Sequence, residues 1–131
     1  MANRYWVGGT GSWSDSANHW SATSGGAPGA SLPGGGDPVF IDANSGSSSF
    51  TLTIDVDAVT NGFSMNNTNL ILAGVSPRTL STSGTANIDL RLMSNWTFTG
   101  TIRTTGATNW KQDNTVFPGG VKCDLGSSAI T

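Results

Sequence analysis

The residues of this 131-residue chain that could carry acid–base, nucleophilic or metal chemistry are few and dispersed. His19 is the only histidine, so a histidine-based metal site or a nucleophile–histidine pair has a single ring to build on. Lying between Asn18 and Trp20, it is expected to be a structural hydrogen-bonding residue. The eight acidic residues are all aspartates. Asp55 and Asp57 flank Val56, and paired carboxylates can serve glycoside hydrolysis or bind calcium. In an alternating strand, however, both sit opposite the apolar residues and are expected to face solvent. Asp37, Asp42, Asp89 and Asp124 fall at strand edges or turns, where aspartate satisfies local backbone donors. Gly8-Gly9-Thr10-Gly11 lacks the lysine of a phosphate-cradling loop and reads as a turn. The single cysteine, Cys123, cannot form an internal disulfide, which suits a reducing compartment, and reads as a small buried apolar side chain. No catalytic, cofactor-binding or metal-ligating residue is expected, and the chain is not expected to be an enzyme.

Composition narrows the elements that hold these residues. Seventeen serines and 17 threonines stand beside 18 glycines and 11 asparagines, with no glutamate. Good helix formers are scarce, whereas Thr, Val, Ile, Phe and Trp favour pleated surfaces and Gly, Asn and Asp favour turns. The chain should be strand and loop. A net charge of −2 with 11% charged residues argues against nucleic-acid binding, which needs clustered Lys and Arg, and against membrane surfaces. No apolar run approaches the roughly 20 residues that span a bilayer. The start, Met1-Ala2-Asn3-Arg4-Tyr5, has no hydrophobic signal segment, so synthesis and retention in a cytoplasm are expected. Asn66-Asn67-Thr68 and Asn95-Trp96-Thr97 match glycosylation acceptors that a cytoplasmic product does not use.

One domain over 1–131 is expected, in three parts. Residues 1–20 carry Trp6, Trp13 and Trp20, three of the five tryptophans at seven-residue spacing. Each can bury on the order of 200 Å², and the glycines and serines between them offer little to bury against. Residues 21–38 hold three prolines and six glycines and read as a surface loop, free for a partner or folded along the body with Leu32 as its one large apolar anchor. Residues 39–131 form a strand-rich body. Val39-Phe40-Ile41-Asp42 reads as a short strand before a turn at 42–46. Phe50, Leu52, Ile54 and Val56 alternate with Thr51, Thr53, Asp55 and Asp57, the period of a half-buried strand. Strands are also expected at 69–73, 88–92, 96–98, 101–105 and 121–125.

Apolar anchors recur along the body. Leu52, Leu70, Leu90, Trp110 and Ile130 are separated by 18, 20, 20 and 20 residues, and Phe63, Leu80, Phe98 and Phe117 by 17, 18 and 19. Two interleaved series predict an all-β, short-coil solenoid whose coils each supply at least two strands. The alternative is an antiparallel β-sandwich or jelly roll, which half of this period also fits. In a solenoid the tryptophan stretch becomes a cap on Trp6, Trp13 and Trp20, covering strand edges that would otherwise aggregate. At the other end, 125–131 reads as a strand broken off, so more chain or a partner subunit is expected to complete it.

The run Trp6-Val7-Gly8-Gly9-Thr10-Gly11-Ser12-Trp13, then Asn18-His19-Trp20, Pro33 and Asp37-Pro38-Val39-Phe40-Ile41-Asp42, resembles the opening segment of β-solenoid structural proteins of tailed bacteriophages. Related openings occur in bacterial surface β-helix proteins. The resemblance covers about the first 60 residues. It implies a virion part such as a capsid decoration protein, a head fibre, or a tail fibre or spike subunit. It also implies a homotrimer bound to major capsid or tail proteins, made in the host cytoplasm and carried in the virion. A carbohydrate-binding module is the rival, because exposed tryptophans stack on sugars. Trp110, in the polar setting Thr108-Asn109-Trp110-Lys111-Gln112-Asp113, is the best candidate for a glycan or partner contact, with Leu32 beside it as a partner contact.

Overall fold

A computed structural model describes residues 2–65, 67, 69–74 and 78–83, together with strands at 86–89, 95–98, 101–104, 108–111 and 122–124. In chain order the elements are β1 (Arg4–Trp6), β2 (Gly11–Ser12), the helical turn α1 (Ser16–His19), β3 (Trp20–Ser21) and β4 (Val39–Ile41). Then come β5 (Phe50–Thr53), β6 (Ala58–Thr60), β7 (Phe63–Met65), β8 (Leu70–Gly74) and β9 (Thr79–Thr82). The last are β10 (Ala86–Asp89), β11 (Asn95–Phe98), β12 (Thr101–Thr104), β13 (Thr108–Lys111) and β14 (Lys122–Asp124). The fold is all-β with almost no helix, as a composition poor in helix formers requires.

The strands build three open sheets, in the orders β13-β10-β7-β4-β1-β3, β11-β8-β5-β2 and β14-β12-β9-β6. From β4 to β12 the chain visits the first, second and third sheet in turn, three times over. Among the described residues every pairing is parallel except β1 with β3. One antiparallel pair is too little for the sandwich or jelly roll, whose sheets are antiparallel throughout.

Register explains the core. Phe50 pairs with Leu70 and Leu52 with Leu72; Val39 pairs with Phe63 and Ile41 with Met65; Ala58 pairs with Leu80. All ten side chains are buried, so like faces stack inward on like faces. Together with Trp6, Trp13, Trp20 and Ile54 they form one apolar cluster. Burying side chains of this size contributes roughly 1.5–3 kcal/mol each.

The structure corrects three readings of the sequence. The alternation that starts at Phe50 is not one strand: β5 ends at Thr53, the chain turns a corner over 54–57, and β6 follows in another sheet. Ile54 stays buried through that corner, which preserves the alternating pattern while the backbone changes direction. The anchor series mixes sheets as well: Phe63 lies in the first, Leu80 in the third and Phe98 in the second. Leu52 and Leu70 are on paired strands but two residues out of register, Trp110 belongs to the first sheet, and Leu90, Phe117 and Ile130 lie outside the described residues. The third correction concerns the loop, whose buried anchor is Pro33, while Leu32 is 39% exposed.

Candidate functional site

The best-defined feature is the end of the stack where the amino-terminal segment sits, and each of its parts follows from local chemistry. Gly8 and Gly9 have φ of +80° and +72°, a left-handed conformation that glycine adopts without strain. They turn the chain from β1 into the second sheet, where β2 pairs with β5. The turn 12–15 closes with the Asp15 amide donating to the Ser12 carbonyl, and α1 follows. β3 then returns antiparallel to β1, with Trp6 opposite Trp20.

The tryptophans fill the space beneath. Trp6, Trp13 and Trp20 are 0%, 1% and 0% exposed. Trp20 meets Trp6 edge-on at 5.1 Å and Trp13 at 4.8 Å, the T-shaped geometry that aromatic quadrupoles favour. Trp13 stacks at 6.3 Å on Phe63 of β7, which ties the segment to the body. Two indole N–H groups are satisfied inside: Trp6 Nε1 donates to the Gly9 carbonyl and Trp20 Nε1 to the Trp13 carbonyl, each at 2.8 Å. His19 is buried, stacks on Trp6 and places Nδ1 2.8 Å from the Val7 carbonyl oxygen. It is the hydrogen-bonding residue expected from its neighbours.

The proline–glycine loop lies along the body. Arg4 donates from Nε to the Ser31 carbonyl at 2.8 Å and from Nη2 to its hydroxyl at 2.7 Å. The Gly29 and Ala30 amides donate to the Trp20 carbonyl. Further along, the Asn61 amide donates to the Asp37 carbonyl at 2.9 Å, which seats the loop where β6 ends. The Asp37 carboxylate accepts from the amides of Ala2 and Gly34, and these two bonds, assisted by Arg4, hold its pKa below the ordinary value.

The aspartates of the corner serve as clips. Asp55 accepts from the Ser14 amide at 3.0 Å and from the Ser14 hydroxyl, and Asp57 accepts from the Thr79 amide at 3.1 Å. Both were expected to face solvent; only Asp57 is exposed, Asp55 being half-buried, because the corner turns them toward backbone donors of neighbouring strands. Asp42 is likewise a turn residue, its Oδ1 accepting from the Asn44 amide at 3.0 Å.

Beside the segment lies an open groove of about 540 Å³, lined by Gly8, Gly9, Thr10 and residues 43–50. No charged side chain or histidine lines it, so it offers hydroxyl and backbone hydrogen bonds and no acid or base. Among the described residues no group of three or more His, Cys, Asp or Glu could hold a metal ion. No helix among them is long and apolar enough to cross a membrane. Trp110 occupies β13 in register with Ile88; its side chain, like that of Cys123, lies outside the described residues.

Sequence reasoning missed one repeated signal. Thr60-Asn61-Gly62, Thr82-Ser83-Gly84 and Thr104-Thr105-Gly106 recur every 22 residues, and their threonines are paired in register in the third sheet. Thr60 and Thr82 are buried. Searching for small polar repeats, and not only apolar ones, would have found them. Comparison of the chain with family models, curated proteins and solved structures finds no match.

Proposed function

We propose that the chain is a parallel β-solenoid serving as a structural part of a tailed-bacteriophage particle. In this reading it is an accessory capsid decoration or a head- or tail-fibre component that acts as a homotrimer. The observation that carries the reading is the coverage of one end of all three sheets. β3 closes the first sheet, the turn into α1 follows β2 of the second, and the loop through Asp37 seats against the end of β6 in the third. Covered edges do not add strands from other chains, so assembly is left to side-chain contacts on the flanks. Standard interfaces bury about 1,600 Å², and a particle repeats its contacts many times, so modest individual contacts suffice. The partners are copies of the chain and the major capsid or tail proteins, and the work is mechanical.

The rival reading, a carbohydrate-binding module or a bacterial surface adhesin fragment, needs tryptophan faces open to host glycans. The burial of Trp6, Trp13 and Trp20 leaves Trp110 as its candidate. Sedimentation analysis of the purified chain, followed by co-sedimentation with capsids and tails assembled from the genome that encodes it, separates the two. A trimer that sediments with either particle supports the structural role. A strict monomer with no particle affinity, whose binding to a glycan array is abolished by Trp110→Ala, replaces it with the carbohydrate module.

A further inference from the structure

Asn61-Gly62 is the sequence most prone to spontaneous loss of a side-chain amide, because glycine places no side chain in the way of its own nitrogen. We propose that this pair is a latent deamidation site and that the hydroxyl of Thr82, one strand away, guards it. Gly62 has φ of +115°, so glycine is fixed there by backbone conformation. Its amide donates to Thr82 Oγ1 at 2.9 Å in a buried bond, and Thr82 is 3% exposed. The bonds on either side hold the same peptide: the Val39 amide donates to the Gly62 carbonyl, and the Asn61 amide donates to the Asp37 carbonyl, both at 2.9 Å.

The chemistry begins at the nitrogen that Thr82 holds. Hydroxide removes the Gly62 amide proton, and the nitrogen attacks the side-chain carbonyl carbon of Asn61. The bond from that carbon to the side-chain nitrogen breaks, ammonia leaves with a proton from water, and a five-membered succinimide remains. One water molecule then opens the ring to aspartate or isoaspartate at position 61. A buried, hydrogen-bonded amide meets hydroxide only when the structure opens locally, so the first step is gated by separation of β6 and β9 at this corner. Within the Thr-X-Gly repeat the middle residue is Asn at 61, Ser at 83 and Thr at 105, so the hazard belongs to this one position. The product carries a new negative charge, and isoaspartate adds a backbone carbon at a corner whose register is fixed on both sides.

The test is incubation of the full chain at mildly alkaline pH, folded and in urea, with peptide mapping of position 61 and enzymatic detection of isoaspartate. Folding should slow conversion by roughly tenfold or more. Thr82→Val keeps the shape and removes the acceptor, and should speed conversion in the folded chain by about two- to tenfold, the worth of one net hydrogen bond. Thr82→Ser keeps an acceptor and should hold the parent rate. Equal rates in folded and unfolded chain overturn the proposal, as does a folded Thr82→Val chain that converts at the parent rate. Hydrogen exchange at Gly62 in the parent chain gives a reading independent of any variant. Its protection should match the slowing of conversion, and rapid conversion beside a protected Gly62 also overturns the proposal.

Discussion

The ring of His19 lies flat on that of Trp6, centroids 4.6 Å apart and planes 6° from parallel, while Nδ1 faces the Val7 carbonyl oxygen at 2.8 Å. A carbonyl only accepts, so Nδ1 carries the hydrogen. The opposite side of the ring presses on Gly11, where an added Cβ would stand 2.0 Å from Nε2. Gly11→Ala should therefore destabilise the chain by about 1–3 kcal/mol, the usual cost of overpacking. In a His19→Ala background the same change should cost clearly less, because the clashing ring is gone. Urea unfolding of both singles and the double measures this coupling; simple additivity would show that the ring is not what excludes a side chain at position 11.

Trp13 is 1% exposed and contacts both Trp20 and Phe63, so it joins the amino-terminal segment to the first full turn of strands. Trp13→Ala should lower unfolding free energy by roughly 3–5 kcal/mol. That is a large part of the 5–15 kcal/mol typical of a domain. A loss below about 1 kcal/mol, read by denaturant titration, would place this side chain in solvent and return the segment to a binding role.

How much of this was legible depends on the residue. Phe50 and Leu52 declared a half-buried strand because their threonine neighbours point the other way. Val39 and Ile41 did the same. The corner after Thr53 was invisible because Ile54 remains inside while the backbone turns, leaving apolar periodicity unbroken. Leu72 was passed over as the partner of Leu52 because corners differ in length: Ile41 to Phe50 spans a longer connection than Met65 to Leu70. A fixed apolar period cannot survive such insertions. At the amino-terminal segment the bulk of Trp6, Trp13 and Trp20 announced burial, but the partners of Asp55 and Thr82 are set by register between strands, which residue types alone do not encode.

The Asp37 carboxylate is stabilised in its charged form by the amides of Ala2 and Gly34 and by Arg4. Its folded pKa lies below the ordinary 3.8, so its contribution to stability is fully present above the unfolded value and fades as pH falls through the folded one. Stability should thus decline below about pH 4. In Asp37→Asn that part of the decline should be absent, with lower stability at neutral pH. Melting curves across this range check it; parallel pH profiles for parent and variant would show that the carboxylate contributes nothing.

The last relationship separates a clip from a catalytic carboxylate. Asp55 receives the amide of Ser14 through Oδ1 and the hydroxyl of the same residue through Oδ2, so both of its oxygens are engaged by one neighbour. Ser14 is exposed, so when the carboxylate is removed water can replace it as acceptor. Asp55→Ala should accordingly cost only about 0.5–1.5 kcal/mol, well below the loss at Trp13. Asp55→Asn retains an oxygen for the Ser14 amide but turns a donor toward the hydroxyl, which can rotate and accept, so it should cost less still. Ser14→Ala removes one of the two bonds and should fall between them. Denaturant titration of the three variants orders these losses, and an Asp55→Ala chain as damaged as Trp13→Ala would mean that this carboxylate holds the segment in place by more than the two bonds to Ser14.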